Sequence, residues 1–180
     1  MVLYTGDSGT QYVGGTGFQP DLIWGKRRSG AKEHWLADSV RGGNKVLEPD
    51  GTGAENSLSG GVTFENDGVT LDYTGGWNSG NQTGYNYVAW SWDMGDNTPT
   101  GFGAVTYTGN SDIHNVGGVG FQPDLVWIKN RSQAHTGGNT TNHELYDAVR
   151  GRQIGLRANS TAIEYTEAWA HGIQGFQKDG

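Results

Sequence analysis

Five carboxylates, Glu48, Asp50, Glu55, Glu65 and Asp67, fall within twenty residues of a 180-residue chain. Two such acids facing one another are the equipment of glycoside hydrolysis, one giving a proton and the other acting as base or nucleophile. These acids, however, sit in polar, glycine-rich turns, where carboxylates are ordinarily just solvated, and no Glu-x-Asp-x-Glu strand pattern accompanies them. His34 and His143 occupy matching places in two similar stretches. A catalytic histidine needs a nucleophile and an orienting acid, and no G-x-S-x-G element is present. Both read as strand histidines with a local hydrogen bond. The five histidines show no metal-binding spacing, and enzymatic activity is not expected.

Other stretches carry weaker chemistry. "DMGDNTPTG" at Asp93–Gly101 offers Asp93, Asp96 and Asn97 as oxygen ligands of the kind calcium takes, although a linker turn uses the same letters. "GGTG" and "GGVG" lack the Lys-Ser/Thr of a phosphate loop and are followed by Phe-Gln-Pro, so they read as tight turns entering strands. The shared D-x-V-R-G places Asp38 with Arg41 and Asp147 with Arg150, and reads as a structural ion pair at a turn. "DYTGGWNSGNQTGYNY" at Asp72–Tyr87 sets Trp77 and Tyr85 among amides, including Asn78 and Asn81. An aromatic ring beside amides suits a sugar, whose apolar face stacks while its hydroxyls hydrogen-bond. The competing reading is a Trp77 that folds back onto the core or onto a subunit partner. Four Asn-x-Ser/Thr triplets, at Asn81, Asn130, Asn139 and Asn159, read as compositional.

The elements that must position these residues are repeated. "GGTGFQPDLIW" at Gly14–Trp24 returns as "GGVGFQPDLVW" at Gly117–Trp127, an offset of 103. "VLYTG" at Val2–Gly6 returns as "VTYTG" at Val105–Gly109 with the same offset. "HWLADSVRG" at His34–Gly42 returns as "HELYDAVRG" at His143–Gly151 after six inserted residues, and "FENDG" at Phe64–Gly68 as "FQKDG" at Phe176–Gly180 after three more. Insertions between fixed blocks read as loops on a constant scaffold. The first copy spans 1–104 and the second 105–180. The second contains nothing matching Val69–Gly95 and reads as incomplete: a shortened chain, or strands supplied by a neighbouring subunit, would account for it.

Thirty-two glycines, seven tryptophans and eight tyrosines with only four prolines predict short strands joined by tight turns. "VLYTG", "DLIW", "DLVWIK" and the alternating "YNYVAWSW" read as strands. "DLVWIK" is apolar enough to be buried on both faces, and the tryptophan closing each repeated block reads as buried. "FENDGVTLDY" reads as a hairpin turning at Asn66-Asp67-Gly68. Only "AIEYTEAWAHGIQ", Ala162–Gln174, suits a short helix. About seven strands per complete copy predict an all-β fold, antiparallel β-sandwich or jelly-roll modules in tandem. A net charge of −7 argues against a nucleic-acid partner. The chain has no cysteine, no apolar run long enough to span a bilayer, and no secretory pattern in its opening "MVLYTGDSG".

"GFQPDLVWIKNRS", "HELYDAVRG", "FENDGVTL" and "YVAWSWDMG" together resemble a repeated domain of phage and prophage virion proteins, common in tail-fibre-like proteins and often beside a SPRY-type domain. All four blocks occur in order in the first copy and three in the second, so the resemblance covers nearly the whole chain. It implies a concanavalin-like sandwich and a place on the virion surface, and it brings no catalytic residues. The expected function is a non-enzymatic, tail-fibre-like surface protein adhering to host glycan. The alternatives are a capsid decoration or cement protein and a glycan-degrading enzyme. Expected partners are other virion proteins and copies of itself, as in fibre trimers; calcium is the one cofactor considered.

Overall fold

The computed structural model describes residues 1–95, 101–133, 141–167 and 172–179. The first copy is a two-layer antiparallel sandwich. One sheet has the order β1 (Val2–Thr5), β9 (Asn86–Trp92), β3 (Leu22–Arg27), β4 (Trp35–Asp38); the facing sheet is β2 (Thr10–Gly14), β8 (Gly68–Asp72), β7 (Gly61–Glu65). A short pair, β5 (Lys45–Val46) and β6 (Asn56–Ser57), continues from β4 through a bridge between Leu36 and Leu47. Both sheets feed one core: Ile23, Trp35, Ala37 and Ala89 from one, Val13, Val62, Val69 and Leu71 from the other, with Val46 and Trp77 beside them. This is the all-β tandem architecture that the strand spacing predicts, with nine named strands in the first copy rather than seven.

Turn chemistry sets the register. Asn66 and Asp67 form a two-residue loop between paired Glu65 and Gly68. The Asp67 carboxylate then reaches across the fold into the repeated glycine stretch. It accepts the amide of Gly15 at 3.2 Å and of Gly17 at 2.6 Å. Positive φ at both glycines, 94° and 82°, turns these amides onto one anion, a conformation that a side chain resists. In the second copy Gly120 donates to Asp179 at 2.7 Å, with Gly118 and Gly120 again at positive φ. The repeated GGxG is thus an anion cradle filled by the chain's own aspartate.

The second copy forms a single sheet, β10 (Leu125–Ile128), β11 (Glu144–Asp147), β12 (Ile154–Arg157), β13 (Tyr165–Thr166), the counterpart of β3–β4–β5–β6. Two expectations are corrected here. Tyr165–Thr166 is a strand paired to β12, not part of a helix; the strand wins because Tyr165 covers Gly155 opposite it. The rest of the expected helix falls partly on residues 168–171, outside the described ones. "DLVWIK" is not buried on both faces: Leu125 is 58% exposed, because β10 pairs only with β11 among the described residues. The one described helix is a single turn, α1 (Asn78–Asn81).

Candidate functional site

Each repeated block ends on a tryptophan tied to a histidine. The Trp24 indole N–H donates to His34 Nδ1 at 3.0 Å, and the Trp127 indole N–H to His143 Nδ1 at 3.0 Å. Indole is a donor only, so Nδ1 is unprotonated in both rings and the Nε2–H tautomer is fixed. Both histidine amides are anchored alike, His34 N–H to Asp50 Oδ1 at 2.9 Å and His143 N–H to Asn159 Oδ1 at 2.8 Å.

The indoles meet on the outer face of the first sheet. Antiparallel pairing sets Trp24 opposite Trp90, with ring centroids 5.8 Å apart, and Trp127 joins edge-on at 5.9 Å from Trp24. Trp90 and Trp127 each remain 36% exposed, so the tryptophan of the repeated block is not buried as its apolar neighbours suggest. In a strand, successive side chains alternate faces: Ile23, Tyr87 and Ala89 take the inward positions of β3 and β9, and Trp24 and Trp90 are left outward. Three indoles and two imidazoles make a continuous aromatic shelf across both copies.

Beneath the shelf the copies are bound by polar contacts. Arg41 pairs with Asp38 at 2.5 Å and with Glu55 at 3.1 Å. Arg131 of the second copy holds both Glu55 oxygens, at 2.7 and 2.9 Å. His143 Nε2–H donates to the Glu48 carbonyl at 3.1 Å, and the Thr141 hydroxyl to the Thr52 carbonyl at 3.2 Å. Burial works to raise the Glu55 pKa, but hydrogen bonds from Arg131 and Arg41 outweigh it and hold Glu55 below the ordinary carboxylate range. Burial and then the Lys129 ammonium lower His143 to about 4, leaving it neutral across the physiological range. Glu48 is raised by burial and by the charges of Glu33 and Asp50.

The expected sugar-binding loop does not carry an open ring. Trp77 is 8% exposed and packs edge-on against Trp35 with centroids 4.8 Å apart. Asn81 is wholly buried, its amide donating to Asp7 and to the Gly9 carbonyl. Tyr85 lies beneath the Arg27 guanidinium, 3.7 Å from its centroid. Buried Arg27 also donates to the Asn78 carbonyl and to Gln82. That cation, from a distant strand, holds the turn at Asn78, Gln82 and Tyr85, which no local pattern announces. Of the four expected sugar contacts only the Asn78 side chain is exposed, accepting from the Tyr73 hydroxyl. Two adjoining hollows of about 320 and 290 Å³ share Thr74, Gly75 and Gly76 there.

The remaining candidates are structural. Asp147 and Arg150 repeat the Asp38–Arg41 geometry, with backbone and guanidinium N–H groups on one carboxylate at 2.8 and 2.6 Å. Glu65 accepts from the Thr70 hydroxyl at 3.0 Å, and Asp67 fills its cradle. Asp93 accepts from the Gly95 amide at 2.7 Å, while Asp96 and Asn97 lie outside the described residues. Among the described residues no cluster of His, Cys, Asp or Glu is placed to hold a metal ion. Sequence reasoning missed Trp24, Trp90 and Trp127 as surface residues. The available signal was that Trp90 and Trp92 share one face of β9 against Tyr87, Ala89 and Ser91.

Fold and site define a tandem all-β protein with an aromatic face spanning both repeats. The chain matches the family described as a domain of unknown function, DUF7483, twice, over residues 1–101 and 98–180, and belongs to that family. No curated protein and no solved structure matches it.

Proposed function

We propose that this chain is a non-enzymatic surface module of a phage virion, tail-fibre-like in setting, that adheres to host-surface glycan through the shelf of Trp24, Trp90 and Trp127. The observation that carries glycan binding is the pair of exposed indoles, Trp90 and Trp127, gathered about the half-buried Trp24. An indole face carries partial negative charge and suits the polarised C–H groups on the apolar face of a sugar ring. Glu33, exposed beside His34, supplies a hydroxyl acceptor held ionised by its hydrogen bond from Lys32. The resemblance of the repeated blocks to virion domains supports the setting, with other virion proteins and copies of itself as partners. Single shelves bind weakly and gain from repetition on a particle.

Printed glycans presented to multimerised protein test the reading. The wild type should bind, and Trp90→Ala should lose binding while the protein keeps its dispersed amide spectrum and a cooperative melt at a lowered midpoint, since the ring also packs on Trp24. Wild-type protein that binds no glycan at high valency sinks the adhesion reading. A cement protein of the capsid is the second reading, favoured by apolar side chains standing in solvent, Val149 at 96% and Ile163 at 88% exposure. Immunogold labelling of particles separates tail from shell.

A further inference from the structure

Trp127 reaches the shelf from the second copy, and one imidazole holds it there. The His143 ring stands edge-on to the Trp127 indole, with centroids 5.5 Å apart and planes 65° from parallel. Its two nitrogens serve different copies. Nδ1 accepts the Trp127 indole N–H at 3.0 Å, and Nε2–H donates to the Glu48 carbonyl of the first copy at 3.1 Å. His143 is buried, and its own amide is held by Asn159. A neutral imidazole has one acceptor and one donor, so these two bonds use the ring completely. In the first copy His34 accepts from Trp24 in the same way, but its Nε2 meets no polar partner among the described residues. Around the His143 ring, burial and then Lys129 and Arg41 oppose a second proton, while the Glu48 carbonyl and Asp50 favour one.

We propose that His143 is the positioning residue of the aromatic shelf: its Nδ1 orients the Trp127 ring while its Nε2–H seats that ring against the first copy, so the three-indole surface stands only while Nδ1 is unprotonated. The ligand, a sugar ring stacked across both copies, rests on the adhesion reading; the clamp does not. An indole turns about two side-chain torsions, and fixing it in advance removes an ordering cost that the ligand would otherwise meet. A proton on Nδ1 would set donor against donor at the Trp127 N–H and turn the ring out of the shelf. The Nε2–H bond to Glu48 and the Arg131–Glu55 pair survive that proton. Acid therefore releases Trp127 without separating the copies.

Two variants of similar shape separate the bonds. His143→Asn keeps an acceptor, Oδ1, close to the place of Nδ1, and the Glu48 carbonyl it leaves still accepts the Gly51 amide at 2.9 Å. His143→Gln brings its amide to the place of Nε2, which keeps a donor for Glu48 and leaves the indole without an acceptor. NMR spectra of the intact chain follow the Trp127 indole N–H, and printed glycans follow binding. The Asn variant should keep a slowly exchanging indole proton and bind within about twofold of wild type. The Gln variant should exchange that proton fast and bind about fivefold more weakly, the worth of one ordering bond. In the wild type the Trp127 indole resonance should lose its hydrogen-bonded shift with the midpoint of the His143 ring, about 4; the Asn variant should show no such step. The indole signal is read without glycan, so failure of adhesion and failure of the clamp are told apart. The proposal is overturned if the Asn and Gln variants exchange the indole proton alike or bind alike. It is also overturned if the His143 ring titrates while the Trp127 resonance stays unmoved, a readout that decides alone where a variant does not fold.

Discussion

Asp67 accepts from two amides that lie fifty residues earlier in the chain and that positive φ has turned toward it. Asp67→Ala leaves Gly15 and Gly17 holding a strained turn without its anion, at a cost of about 1–2 kcal/mol, read as a lower urea midpoint. At His143 the sign of a pH effect follows from geometry. A second proton has to enter at Nδ1, where the Trp127 N–H already points, and burial and Lys129 oppose the charge. In the unfolded chain the imidazole titrates near its ordinary value of about 6.5. Between that value and about 4 the unfolded state holds a proton that the folded state refuses, so stability rises with pH through this window. The contribution is complete above the unfolded value and is lost as the pH falls toward the folded one. Urea titrations between pH 6.5 and 5 should show this slope, and His143→Gln should flatten it. His34, lowered by burial, leaves a smaller slope of the same sign.

At the scale of elements, the repeats exchange large and small residues across strand pairs. Gly25 of β3 lies opposite Trp35 of β4, whose indole covers it; a Cβ there would come within 2.0 Å of the ring. Their counterparts are Ile128 and Glu144. One pair further on the order reverses: Val46 faces Asn56 in the first copy, while Gly155 is covered by Tyr165 in the second. Cross-strand pairs of this kind are where a sheet takes its side-chain stability. Gly25→Ala therefore displaces the Trp35 indole and costs about 1–3 kcal/mol, visible as a shift in tryptophan emission together with a lower midpoint. The hairpin at Asn66-Asp67 and the alternation of β9 are plain in the letters because each is local. The position of Tyr85 and Asn81 is not, because Tyr85 depends on Arg27 and Asn81 on Asp7 and Gly9, each more than fifty residues away.

At the scale of the molecule the copies are unequal. Every residue of the buried apolar cluster lies between Val13 and Ala89, whereas among the described residues the second copy, Gly155 apart, buries only the side chains of Tyr146, Thr141 and His143. Two of those three reach the first copy, as does Arg131. Residues 1–104 expressed alone should give a dispersed amide spectrum and one cooperative melt, while residues 105–180 alone should give neither. A well-dispersed spectrum from 105–180 would show that the second sheet needs no support from the first.

The sequence by itself determined the duplication, the antiparallel all-β class, the hairpin at Asn66-Asp67 and the pairing of Asp38 with Arg41, since each is written in neighbouring residues or in the repeat. It also determined that Trp24 and Trp90 fall on alternate positions of their strands. Tertiary structure alone decided that those indoles face outward, that Trp77 faces inward, and that Asp67 fills the repeated glycine turn. A two-residue period divides a strand into two faces without saying which one meets the opposing sheet. The same limit separates VLYT from VTYT: four nearly identical residues are a strand beside β9 and irregular without it, because a strand's backbone bonds belong to its neighbour as much as to itself.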